Sequence, residues 1–76
     1  MNENLTVTVA TEVRAEMARQ RVTQQQIADV LGISQPQVSM RLRAEIPFGV
    51  DELGMVADAL GVPVTNFLAT AAQASA

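Results

Sequence analysis

The charged side chains of this 76-residue chain are five Arg and eight Asp or Glu, with no His and no Cys. Lys, Tyr and Trp are missing as well. This inventory removes thiolate attack, Schiff-base chemistry and thiolate zinc sites, and leaves general acid–base work to carboxylates alone. The expectation is therefore a protein that is not an enzyme and uses no cofactor or metal. What the chain concentrates instead, between Gln24 and Arg43, is Gln, Ser and Arg. A Gln amide matches adenine N6 and N7, and an Arg guanidinium matches guanine O6 and N7. Such side chains hold and read; they do not make or break bonds.

The elements that must position them read as helices. Leu5, Val7 and Val9 alternate with Thr6 and Thr8, which is strand periodicity with no second strand to pair with. Residues 1–8 are read as a flexible tail, with Thr6 or Thr8 capping a first helix along Val9, Val13 and Met17. Thr23 and Gln26 have capping-box spacing, and Ile27, Ala28, Val30 and Leu31 form the apolar side of a short second helix. Gly32 stands where a left-handed C-cap is needed, and Ile33 plugs the turn. Ser34 caps a third helix with Pro36 in its first turn and Val38 and Leu42 inward.

Ile46-Pro47-Phe48-Gly49 breaks the pattern, with Ile46 and Phe48 anchored in the core. Leu53, Val56, Ala57 and Leu60 make the buried stripe of a fourth helix, whose positive end favours Asp51 and Glu52. Gly61 ends it, and Pro63 opens a fifth helix carrying Phe67 and Leu68. Residues 71–76 are a tail or an extension of that helix. Met17 and Met55 are assigned to the core. The expected fold class is all-α: a compact bundle of about five short helices over residues 9–70.

Composition fits that class. Hydrophobic residues make up 49% and aromatics 3%, so the core is aliphatic. The formal charge of −3 speaks against an indiscriminate nucleic-acid binder. The charge is unevenly spread: residues 1–43 hold all five Arg against four acids, and residues 44–76 hold four acids and no base. Residues 19–43 carry four Arg against Asp29 alone. No signal peptide or membrane span is visible, so a cytoplasmic location is expected.

A small residue at a helix crossing (Ala28), a Gly turn (Gly32) and an apolar anchor (Val38) at fixed offsets are the physical recipe for a helix-turn-helix, here about residues 23–43. The pattern T-Q-x-x-I-A-x-x-L-G-I-S-Q-x-x-V-S, running from Thr23 to Ser39, resembles the Cro/CI-type, or XRE-type, DNA-binding family with a lambda-repressor-like fold. Phe48–Leu53 and Ala57–Pro63 also resemble that family's fourth helix and the turn after it. Arg21 and Ala44 depart from it, standing where such proteins often have Gly.

The resemblance implies a transcriptional regulator, such as a phage-type or bacterial repressor, that docks its third helix in the major groove of an operator. Gln24 matches the position that contacts a phosphate. With Val38 and Leu42 inward, stepping about 100° per residue turns Pro36, Ser39, Met40 and Arg43 outward, with Gln35 and Gln37 flanking near the helix N-terminus. The DNA-binding set is thus Gln24, Ser34, Gln35, Pro36, Gln37, Ser39, Met40, Arg41 and Arg43, with Arg41 equally readable as a solvated charge. Gln25 and Gln26 are read as surface or capping residues. One such unit reads few base pairs, so a homodimer through the fifth helix and C-terminal region, on a pseudo-palindromic site, is expected. The alternative is an antitoxin-like or accessory module whose acidic C-terminal half binds a protein partner.

Overall fold

The computed structural model describes residues 3–68. Four α-helices follow one another, α1 (Glu3–Gln20), α2 (Gln24–Leu31), α3 (Gln35–Leu42) and α4 (Val50–Leu60), and a 3-10 helix (Val64–Phe67) closes the described chain. No strand occurs among the described residues. The all-α class expected from the sequence is the class observed. α2 packs on α3 and α4, while α1 lies against α3, α4 and the 3-10 helix.

Two boundaries differ from the sequence reading. α1 starts at Glu3, so residues 3–8 are helix and not tail. The reason lies in the spacing: Leu5, Val9, Val13 and Met17 form one continuous i, i+4 stripe, with Val9, Val13 and Met17 buried and Leu5 packed against them. Val7, the residue that suggested alternation, is exposed at 53%. After Pro63 the chain makes a single 3-10 turn in place of a fifth α-helix. Its Phe67 is among the largest fully buried side chains. Residues 69–76, where the expected tail falls, lie outside the described residues.

The core is aliphatic, as expected, apart from Phe67. Val13, Val38 and Val56 have no exposed surface, and Ile27, Ala28 and Phe67 have almost none. Ile33, Phe48 and Leu53 are half-buried and pack against it. Met55, expected inside, is exposed, and so is Val30. Met55 lies one residue ahead of buried Val56, which turns it off the inward stripe of α4.

All four α-helices end in the same way. A left-handed residue follows each last turn: Arg21 (φ 58°), Gly32 (φ 70°), Ala44 (φ 61°) and Gly61 (φ 68°). The next residue donates its N–H five residues back, Val22 to Met17, Ile33 to Ala28, Glu45 to Met40 and Val62 to Ala57. This closure satisfies carbonyls that a helix end leaves open. Side chains of α1 satisfy two more: Arg14 Nη1 donates to the Leu42 carbonyl at 2.8 Å, and Gln20 Nε2 to the Leu60 carbonyl at 2.8 Å. Thus α1 is tied by hydrogen bonds to the ends of both α3 and α4.

Candidate nucleic-acid interface

α2 and α3 are joined by Gly32, Ile33 and Ser34. The start of each helix is fixed by its own cap. Thr23 Oγ1 accepts from the Gln26 N–H at 3.1 Å, and Gln26 Oε1 accepts from the Thr23 N–H at 2.7 Å. Gln26 is therefore a capping residue, as its spacing predicts. Ser34 Oγ accepts from the Gln37 N–H at 3.3 Å. Pro36 sits in the first turn of α3, where its missing N–H costs nothing. Ala28 is buried at the place where two helices must approach closely.

The structure places Gln24 and Gln35 as the first residues of α2 and α3 and joins them. Gln35 Nε2 donates to Gln24 Oε1 at 2.7 Å. A Gln amide has two N–H donors and one carbonyl oxygen. The bond leaves Gln35 with one donor and its oxygen, the pair an adenine edge requires. It leaves Gln24 with both N–H donors, which suit a phosphate, and with one lone pair on its oxygen. Pro36 and Gln37 are exposed beside them. Ser39 and Met40 are half-buried, so Met40 is less outward than the helical register suggests.

The two Arg residues of α3 and its end differ. Arg41, with 14% of its side chain exposed, makes a two-pronged pair with Glu52 at the start of α4 (Nε to Oε1 3.0 Å, Nη2 to Oε2 3.1 Å). Its Nη1 also donates to the Gln37 carbonyl at 3.1 Å. Glu52 in turn accepts the Gly49 N–H at 2.9 Å. The Arg41 guanidinium, and to a lesser extent that N–H, hold the Glu52 carboxyl below the usual range. Arg41 thereby fastens α3 to α4. Arg43 is 54% exposed and pairs with Glu45 through Nε at 2.8 Å and Nη2 at 3.2 Å, while Nη1 donates to Ser39 Oγ. Here the Arg43 bonds lower the Glu45 carboxyl, and Glu45 raises the guanidinium.

These acids were not picked out as site residues from the sequence. Glu45 lies two residues from Arg43, a spacing open to inspection. Glu52 lies eleven from Arg41 on another helix, and only the fold brings them together. Three of the four Arg counted over residues 19–43 are consequently compensated: Arg19 pairs with Glu16 at 2.8 Å, Arg41 with Glu52 and Arg43 with Glu45. Arg21 is exposed and carries no ion pair among the described residues.

A second surface is apolar. A groove of 360 Å³ runs between the first half of α1, the loop before α4 and the 3-10 helix, lined by Leu5, Phe48, Val50, Leu53, Val64 and Leu68 among others. Val50 stands 86% exposed at this groove. No helix among the described residues is long and apolar enough to cross a membrane.

Fold and surface together define a small all-helical domain carrying a helix-turn-helix. A family model described as BetR domain matches residues 4–76, and the chain belongs to that family. This corrects the Cro/CI-type assignment drawn from Thr23–Ser39. That pattern records what a helix-turn-helix needs physically, a cap, a small residue at the crossing and a Gly turn, and so does not separate families that share those needs. No curated protein and no solved structure matches the chain.

Proposed function

We propose that this domain is a sequence-specific DNA-binding regulator that acts by occupying an operator, as a repressor does, and not by catalysis. α3 is its reading helix in the major groove and the start of α2 its phosphate contact. The observation that carries this reading is the Gln24–Gln35 bond, which leaves Gln24 both N–H donors for a phosphate and Gln35 one donor and its oxygen for a base edge. Gln37, Ser39 and Arg43 complete the reading surface, and Ser34 and Pro36 shape its entry. Arg41 is withdrawn from that set, because its guanidinium is mostly covered as well as bonded to Glu52 and the Gln37 carbonyl, whereas the paired Arg43 stays exposed. Titration of the protein against random-sequence and selected duplexes, followed by fluorescence anisotropy, tests the proposal. Tighter binding to the selected duplex supports it; no binding to any duplex rejects it.

A second copy of the chain is proposed to sit on the apolar groove, pairing two reading helices on a two-fold site. A concave apolar floor and a protruding Val50 on one patch suit a self-complementary contact. Sedimentation of the protein with DNA checks this: a strictly monomeric species at micromolar concentration would reject it.

A further inference from the structure

Three of the four helix ends obey a simple rule. The left-handed residues Arg21, Gly32 and Gly61 are each followed by an apolar side chain, Val22, Ile33 and Val62, that packs against the core. Such a contact commonly accompanies this kind of helix end. α3 breaks the rule. Ala44 is followed by Glu45, which makes the same backbone closure to Met40 but turns an exposed carboxylate to Arg43. The backbone does not require an acid there, and the position forgoes core packing. A local packing rule given up for an exposed ion pair, which adds little stability, is where function is to be sought.

Arg43 is the outward cation at the end of the reading helix, and it is gripped on two sides by Ser39 Oγ and by both Glu45 oxygens. An unrestrained Arg at this place would seize any nearby phosphate, whatever the sequence. We propose that Glu45 is a specificity-determining residue, which acts through Arg43 by competing with DNA phosphate for its guanidinium. Indiscriminate binding is weakened, and Arg43 engages DNA only where the rest of α3 is seated on matching bases. This rests on the DNA-reading function proposed above. It gives the acidic residue a role in choosing between sequences that its charge alone would not suggest.

The test is a double-mutant cycle of Glu45→Gln and Arg43→Gln, titrated on random and selected duplexes over a range of salt. Glu45→Gln is expected to tighten binding to random duplex several-fold and to steepen the log K against log salt slope by about 0.9, one extra phosphate contact. Binding to the selected duplex should tighten less, so the specificity ratio falls. The thermal midpoint should stay unchanged, because the pair is exposed. In the Arg43→Gln background the effect of Glu45→Gln should vanish. If it persists there in full, Glu45 acts as a bare repulsive charge and the inference is overturned. A wild type that binds duplexes with a Glu45→Gln variant indistinguishable from it overturns the inference alone. If neither protein binds any duplex, the DNA-reading function falls and the inference with it.

Discussion

Gln35 Nε2 donates to Gln24 Oε1 across 2.7 Å, so the first side chains of α2 and α3 are oriented as one unit before any ligand arrives. Fixing an amide in advance lowers the entropy that binding must offset. It also makes the two residues unequal. Gln35→Ala is expected to weaken the selected duplex by about 1–3 kcal/mol and to relax preference at one base pair. Gln24→Ala is expected to weaken selected and random duplexes alike, and also to release Gln35. The double variant should therefore lose less than the two single losses combined, read by anisotropy. Strict additivity would mean that the bond does not orient Gln35.

Arg41 carries a different prediction. Its pairing with Glu52 joins α3 to α4, and the pair is partly shielded. Arg41→Ala should lower stability by about 1–3 kcal/mol, because it leaves the partly shielded Glu52 carboxylate and the Gln37 carbonyl without their donor. The specificity ratio should be unchanged. A changed base preference at the selected site would place Arg41 on the DNA after all.

The left-handed helix ends predict that two ordinary-looking changes stabilise the domain. Arg21 (φ 58°) and Ala44 (φ 61°) hold a conformation that costs an L-residue about 1–2 kcal/mol, while Gly adopts it freely. Part of that gain is offset by the greater freedom of Gly in the unfolded chain. Ala44→Gly and Arg21→Gly should each raise the thermal midpoint by a few degrees, about 4–8 °C per kcal/mol at this size. Ala44→Gly should leave DNA binding unchanged. In contrast, Phe67→Ala removes one of the largest fully buried side chains and should cost about 3–5 kcal/mol, enough to unfold much of so small a domain at ambient temperature.

Much of this was legible in the sequence, and the limits have physical causes. Caps and turns are local: Thr23 with Gln26, Ser34, Gly32 and Gly61 all do what their spacing predicts. The start of α1 was not legible, because Leu5, Val7 and Val9 satisfy strand alternation while Leu5 and Val9 alone satisfy the helical stripe. The single turn at Val64–Phe67 was hidden because Pro63 and an apolar pair suit a longer helix equally well. At the site, residue types were readable but pairings across helices were not. The Gln24–Gln35 and Arg41–Glu52 bonds each span eleven residues and exist only once α2, α3 and α4 are packed. The residues from Thr23 to Ser39 do not identify the family, because they serve the motif's geometry.

Acid should loosen the domain in a defined direction. Glu52, Glu45 and Glu16 are each held below the ordinary carboxyl value of 4.5, first of all by hydrogen bonds from Arg41, Arg43 and Arg19 respectively. For Glu52, whose pair is partly shielded, the depressed folded-state value means that its stabilisation is present above 4.5 and lost as pH falls through the lowered value, while the exposed Glu45 and Glu16 pairs add little. The thermal midpoint should hold from neutral pH to about 5 and decline below 4.5, and the decline should be shallower in Glu52→Gln. A midpoint that rises on acidification would contradict these pairings.

The central claim is that α3 reads base sequence. It is tested most directly by selecting bound duplexes from a random pool with the wild-type chain and with Gln35→Ala. The expected result is a pseudo-palindromic consensus for the wild type and loss of preference at one symmetric position in the variant. A wild-type pool that stays random after repeated rounds would contradict the claim.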